Sequence, residues 1–170
     1  MLAWARNSTI YRLGRQMMTE KQLFDAITRK AREKFEGITP AQMKAVADSA
    51  IQFGYSQGAL DDGAYAEIST RSAVRSGKSK KAIAFRLASK GVAAATAETA
   101  LDEADDLFAA VVFARKRGFG PFRRADLDEK RKAKELSAFA RNGFSFEIGR
   151  RVFDMALEEA DDVLAAKAGF

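Results

Sequence analysis

The chain has 170 residues, 29 Lys+Arg against 23 Asp+Glu, no His and no Cys. The absences exclude disulfides, thiol nucleophiles, thiolate or imidazole metal sites, Ser-His-Asp triads and any side chain that ordinarily titrates near neutral pH. The net charge of +6 favours an anionic partner such as nucleic acid, and 47% apolar residues can build a folded core.

The basic N-terminal stretch, with Trp4, Arg6, Arg12 and Arg15, lacks the continuous apolar core of a signal peptide. No apolar run is long enough to span a bilayer. The expectation is a cytoplasmic protein without a membrane partner, with Leu2, Ile10 and Leu13 packing on the first helical unit. Thr19-Glu20-Lys21-Gln22 forms a capping box, followed by the apolar face Leu23, Phe24 and Ile27. Thr39-Pro40-Ala41-Gln42 repeats the signal with Pro at the first helical position, and Met43, Val46, Ala47 and Ile51 supply its stripe. Phe53-Gly54 reads as the stop of that helix.

Asp61 and Asp62 open the next helix, whose buried face begins with Tyr65, Ala66 and Ile68. Ser76-Gly77-Lys78 breaks it. Ser79 caps a helix carrying Ile83 and Leu87, and Gly91 ends that helix. No segment alternates with the period of a strand, so the chain reads as all-α.

The sequence also repeats. Leu101-Asp102-Glu103-Ala104-Asp105-Asp106-Leu107-Phe108-Ala109-Ala110 recurs as Leu157-Glu158-Glu159-Ala160-Asp161-Asp162-Val163-Leu164-Ala165-Ala166, and Leu87 to Val92 recurs as Phe139 to Phe144. Three short helices make a small core, so units of this kind bury their remaining apolar faces by stacking. The expectation is three tandem three-helix repeats in an elongated, curved array: 1–57 with an N-terminal helix, 58–104, and 105–170 with a C-terminal helix. Such an array, monomeric when free, suits binding along a polymer.

Two segments carry the charge. Arg71, Arg75, Lys78, Lys80, Lys81, Arg86 and Lys90 occur without an intervening acid, around a Gly-containing turn into a helix start that resembles a phosphate-contact loop. The spacing is not that of a Walker A loop. Arg115, Lys116, Arg117, Arg123 and Arg124 interleave with Phe119 and Phe122, and Lys130, Arg131, Lys132 and Lys134 extend the charge. Arginine there pairs with phosphate, whereas the two rings either stack on a partner or tuck into the core. A solvated basic face is the bland alternative for both segments. The acid pairs Asp61-Asp62, Asp105-Asp106 and Asp161-Asp162 are of a type that binds Mg²⁺ or transfers protons, yet each sits at an expected helix start, where aspartate caps the helix. The reading is therefore a non-enzymatic protein with no catalytic residue, no metal, no cofactor and no small-molecule substrate.

Gly58-Ala59-Leu60-Asp61-Asp62-Gly63-Ala64-Tyr65-Ala66 resembles the central motif of the RecX family. Gly77, Ile83, Leu87 and Lys90-Gly91-Val92 follow that family's pattern. Phe139-Ala140-Arg141-Asn142-Gly143-Phe144-Ser145 lies near its C-terminal signature, although Asn142 stands where a second basic residue is common. Thr19 to Leu23 resembles its first-unit capping motif, so the likeness spans about residues 9 to 157. It implies a bacterial negative regulator of the RecA recombinase. Such a protein lies in the groove of the RecA filament on single-stranded DNA, blocks its extension and promotes its disassembly. ATPase, strand-exchange and coprotease activities in DNA repair and the SOS response are inhibited as a result.

On this reading the basic residues above, with Arg141, meet DNA or filament. Leu60, Asp61, Asp62, Tyr65, Ala66, Gly91, Gly143 and Phe144 are mainly structural. Acids near Asp102 to Asp106 and Glu158 to Asp162 meet basic protein surface. Double-stranded DNA is an open second ligand. The competing readings are a stand-alone helical DNA-binding protein of helix-turn-helix type and a metal-dependent nuclease built on the Asp pairs.

Overall fold

A computed structural model describes residues 1–167 of the chain. The described residues form α1 (Leu2–Leu13), α2 (Glu20–Lys34), α3 (Pro40–Ser56), α4 (Asp62–Arg75), α5 (Lys80–Ser89), α6 (Ala94–Leu101), α7 (Asp106–Arg117), α8 (Glu129–Arg141), α9 (Phe146–Asp154) and α10 (Leu157–Ala165), with a 3-10 turn at Gly120–Phe122. No strand occurs among them. The helices fall into three successive triplets, α1–α3, α4–α6 and α7–α9, followed by α10. By packing they gather into two compact units. One is Met1–Glu67 with Leu87–Thr99; the other is Ile68–Arg86 with the chain from Ala100 onward. Residues of the middle triplet contribute to both.

In the first unit the two capping boxes form as their spacing dictates. Thr19 accepts from Gln22 N at 3.1 Å while its own N–H reaches Gln22 Oε1 at 3.0 Å, and Thr39 and Gln42 do the same at the start of α3. These caps orient Leu23 and Ile27 of α2 against Val46, Ala47, Ala50 and Ile51 of α3, with Ala5 of α1 and Leu60 completing the core. Trp4 and Leu13 pack on it from α1. Leu2 and Ile10 do not: both are more than half exposed. The inner face of α1 runs through Ala5 and Thr9; position 10 lies off that line, and Leu2, though on it, is the first residue of the helix.

Two further expectations are corrected. Helix α3 does not stop at Gly54 but runs on to Ser56. Gly54 is buried, and a Cβ on it would stand 3.1 Å from Leu60 Cβ, so its small size lets the returning chain pack closely. Ile68 of α4 is exposed rather than buried. The inner face of α4 continues from Ala66 through Thr70 and Ala73, and a residue two positions from Ala66 lies on the opposite side of the helix.

The second unit is built around α7. Its residues Phe108 to Ala114 are all buried, which is why this helix has no polar face over that stretch. Phe113 packs edge-on to Phe139 of α8 at 5.4 Å and lies 5.7 Å from Phe144, while Phe119 approaches both Phe113 and Phe139. Each such ring pair adds about 0.5–1.5 kcal/mol beyond its buried area. Phe119 is thus half-buried against the core. Helix α9 fits against α8 through Gly149, where a Cβ would come within 2.9 Å of Phe139 Cβ.

The third acid pair is also corrected. Asp161 and Asp162 do not cap a helix; they lie exposed in the middle of α10. The two similar strings enter their helices at different phases. After Leu101 the chain turns through 102–104 before Asp105 caps α7. At the second copy α10 begins at Leu157 itself, with Glu158 and Glu159 as the acids of its first turn.

Candidate nucleic-acid interface

The family-like motifs assemble into one junction that occurs once in each unit. In the first unit Thr19 Oγ1, which caps α2, also donates to Lys90 O at 2.6 Å, and Glu20 N–H donates to Asp62 Oδ1 at 2.8 Å. In the second unit Ser79 Oγ accepts from Ala82 N at 3.2 Å to cap α5, and donates to Asn142 O at 2.7 Å. Lys80 N–H donates to Asp106 Oδ1 at 2.6 Å. The first aspartate of each pair caps its own helix: Asp61 accepts from Ala64 N and Asp105 from Phe108 N, each at 2.9 Å. The second aspartate satisfies the N-terminus of a different helix. Sequence spacing shows the capping role, but the acceptor for a distant helix is set by packing alone.

These bonds tune the acids differently. Burial pushes Asp62 up, and the neighbouring Glu20 and Asp61 charges add to this against the Glu20 N–H. Burial would also raise Asp105, but the Phe108 N–H, Lys167 and the Leu107 N–H outweigh it and hold Asp105 below the usual carboxylate range. Leu60 and Ala66 of the same motif are core residues. Tyr65 is half-buried.

Gly143 completes the junction of the second unit. Its φ is +87°, and a Cβ there would lie 2.5 Å from Ser79 Oγ and 3.3 Å from Lys81 Cβ. Gly91 stands in the same relation to Lys21 in the first unit, with φ +81°. The left-handed backbone alone costs a side-chain-bearing residue about 1–2 kcal/mol. Gly143→Ala is expected to cost at least that much stability, read as a lower urea midpoint, because Ser79 must also leave its cap. An unchanged midpoint would contradict the junction's rigidity.

The junction places the basic segments. Except for Lys90, all the candidate contact residues belong to the second unit, although they come from stretches well separated in sequence. Arg71 and Arg75 lie on α4, Lys78 in the turn, Lys80, Lys81 and Arg86 on α5. Arg71, Arg75, Lys78, Lys81 and Arg86 are exposed, and Lys80 is half-buried. The turn docks on α7: a Cβ on Gly77 would meet Phe113 N at 2.9 Å, and Lys116 Nζ donates to Ser76 O at 2.9 Å. This brings the exposed last turn of α7, Arg115, Lys116 and Arg117, to the turn that carries Lys78. On the other side, Ser79 and Lys81 touch the end of α8, where Arg141 is exposed. Arg124 and Lys130 are exposed and Arg131 half-buried.

Helix α5 has two lysines and no acid in its first turn, the reverse of what its dipole favours. Cations there suit an anionic ligand better than they suit the isolated helix.

Arg123 has a different setting. Its guanidinium makes two hydrogen bonds to Glu135, Nε to Oε1 at 2.8 Å and Nη2 to Oε2 at 2.6 Å, and lies 4.9 Å from the centre of the Phe153 ring. Glu135 also accepts from Gly120 N at 2.9 Å. Sequence reasoning missed Glu135. The available signal was a glutamate three and four residues before Ala138 and Phe139, on the apolar stripe of α8. It also missed Phe85, the most exposed of the large apolar side chains in the described residues. Ile83 and Leu87 flank it on the inner face, so a residue midway between them points outward.

Residues 61–101 match the RecX_HTH2 family, the second three-helix domain of RecX. The regulatory protein RecX of Agrobacterium fabrum (strain C58) is 66% identical over 165 residues, covering 97% of this chain and 90% of that protein. The regulatory protein RecX of Myxococcus xanthus (strain DK1622) is 32% identical over 158 residues, covering 89% and 84%. The crystal structure of RecX from Lactobacillus salivarius superimposes with a TM-score of 0.67 at 22% identity, covering 94% of this chain and 96% of that one, and so shares the fold. With a three-helix domain of that family matched and 66% identity to one regulatory protein RecX over nearly the whole chain, the chain belongs to the RecX family of regulatory proteins.

Proposed function

We propose that this chain is a negative regulator of the RecA recombinase that binds the RecA filament on single-stranded DNA, stops its extension and promotes its disassembly. It acts in the cytoplasm by occupancy rather than by catalysis, and thereby inhibits ATP hydrolysis, strand exchange and coprotease activity in DNA repair and the SOS response. The observation that carries the reading is the gathering of two separate basic segments into one compact unit of a RecX-family chain. Arg71, Arg75, Lys78, Lys80, Lys81, Arg86, Arg115, Lys116, Arg117, Arg124, Lys130, Arg131 and Arg141 meet phosphates or filament. Arg123 serves chiefly to hold its own unit together. The exposed acids Asp102, Glu103, Glu158, Asp161 and Asp162 meet basic protein surface on the recombinase.

Each contact of this kind is modest, and several made together along a filament multiply. No described helix is long and apolar enough to cross a membrane. The test is RecA-catalysed ATP hydrolysis on single-stranded DNA, which this chain should inhibit. DNA binding without any effect on the recombinase would favour the stand-alone DNA-binding reading instead.

A further inference from the structure

We propose that Phe85 is a stacking platform for the bases of single-stranded nucleic acid, set within the basic face of α5. The inference rests on the reading that the second unit contacts phosphates, and it adds how that unit tells single strands from duplex. Phe85 is 78% exposed, although Ile83 and Leu87, two residues to either side, are buried in the core. A full benzyl group turned into water on a short, well-anchored helix has no role in the fold.

Its surroundings define what covers it. Lys81 lies one turn before it and Ser89 one turn after it, on the same side of the helix. The residues at the other neighbouring positions, Ala82 and Ala88, are small and leave the ring approachable. From Ile68 to Ala97 the chain contains no acid. Asp106 reaches the start of this helix, and one of its carboxylate oxygens is engaged by Lys80 N–H. A docking site for an apolar protein segment would be a contiguous apolar patch. A single ring with a lysine one turn away is instead the composition of a single-strand site, with charge for a phosphate and an aromatic face for a base. One helical turn, about 5.4 Å, separates Lys81 from Phe85, so the lysine can hold a phosphate while a base lies on the ring. In a duplex the base faces are already stacked and unavailable.

The test uses the full chain with a labelled thymidine oligonucleotide and a duplex of equal length. Phe85→Ala should weaken single-strand binding by about 5- to 100-fold, leave duplex binding unchanged, and leave the dependence of affinity on salt unchanged because no charge is removed. Phe146→Ala is the control. That ring is 77% exposed on the same unit, but Glu147 follows it and Arg150, one turn on, is paired with Asp154. It should have no effect.

Equal losses for single strand and duplex, or equal losses from the two substitutions, would overturn the proposal. If Phe85→Ala changes nothing while removal of Lys80 and Lys81 still flattens the salt dependence, stacking fails and the phosphate reading stands. Absence of any single-strand binding by the unaltered chain would remove both. A loss confined to binding of the recombinase filament, with naked single strands bound normally, would make Phe85 a protein contact and also overturn the proposal.

Discussion

Glu135→Ala should destabilise the folded chain by about 3–5 kcal/mol, the cost of removing one partner from a buried ion pair. The Glu135 side chain is 1% exposed and that of Arg123 is 15% exposed. The substitution strands the guanidinium under the Phe153 ring and leaves the Gly120 N–H without its acceptor. At about 2–4 °C per kcal/mol for a chain of this size, the melting temperature should fall by about 10 °C. Replacing both partners, as Arg123→Met with Glu135→Leu, should recover most of the loss, because the penalty lies in the unpaired group.

The same pair predicts a pH dependence. Burial raises Glu135, but the hydrogen bond from Arg123, the Gly120 N–H and the Arg123 charge outweigh it, so its carboxyl sits below the usual glutamate range. The folded state therefore holds this proton less tightly than the unfolded state. The pair's stabilisation is complete above the ordinary glutamate value and is lost as pH falls through the depressed folded value. Urea midpoints taken from neutral to acid pH should fall more steeply for the unaltered chain than for the double variant. A Glu135→Ala protein that melts with the unaltered chain would contradict this account of the 3-10 turn.

Lys80→Ala with Lys81→Ala should flatten the salt dependence of single-strand binding. Each phosphate contact contributes about 0.7 to the slope of log affinity against log salt on single strands, so losing two should reduce the slope by about 1.4. Stability should hold or rise slightly, since both lysines sit in the first turn of α5, where the helix dipole disfavours cations. A weaker binder that is no less stable separates a contact role from a structural one. An unchanged slope would remove both residues from the interface.

Much of the fold was legible because its signals are local. Thr19, Thr39, Asp61, Ser79 and Asp105 cap the helices that their spacing to the following apolar residues announced. The misreadings share a physical cause. Residue type marks Ile68 as buried and Gly54 as a helix stop, whereas the face of α4 and the close approach of Leu60 to α3 are set by helical angle and packing. Asp161 and Asp162 repeat the letters of Asp105 and Asp106 but not the turn before them. Asp62, Asp106 and the Arg123–Glu135 pair act across 12 to 42 residues of chain, and no local pattern specifies such partners. The candidate interface was visible as composition, in two basic segments. That they fold into one unit was not visible, because the contact of Lys116 with Ser76 and of Gly77 with Phe113 depends on how α7 is buried.

The most direct measurement of the central claim is ATP hydrolysis by RecA on single-stranded DNA as this chain is titrated in at fixed ionic strength. The account predicts inhibition at ratios well below one chain per recombinase subunit. It also predicts weaker inhibition by the Lys80→Ala, Lys81→Ala variant. Hydrolysis that continues unchanged at every ratio would contradict it.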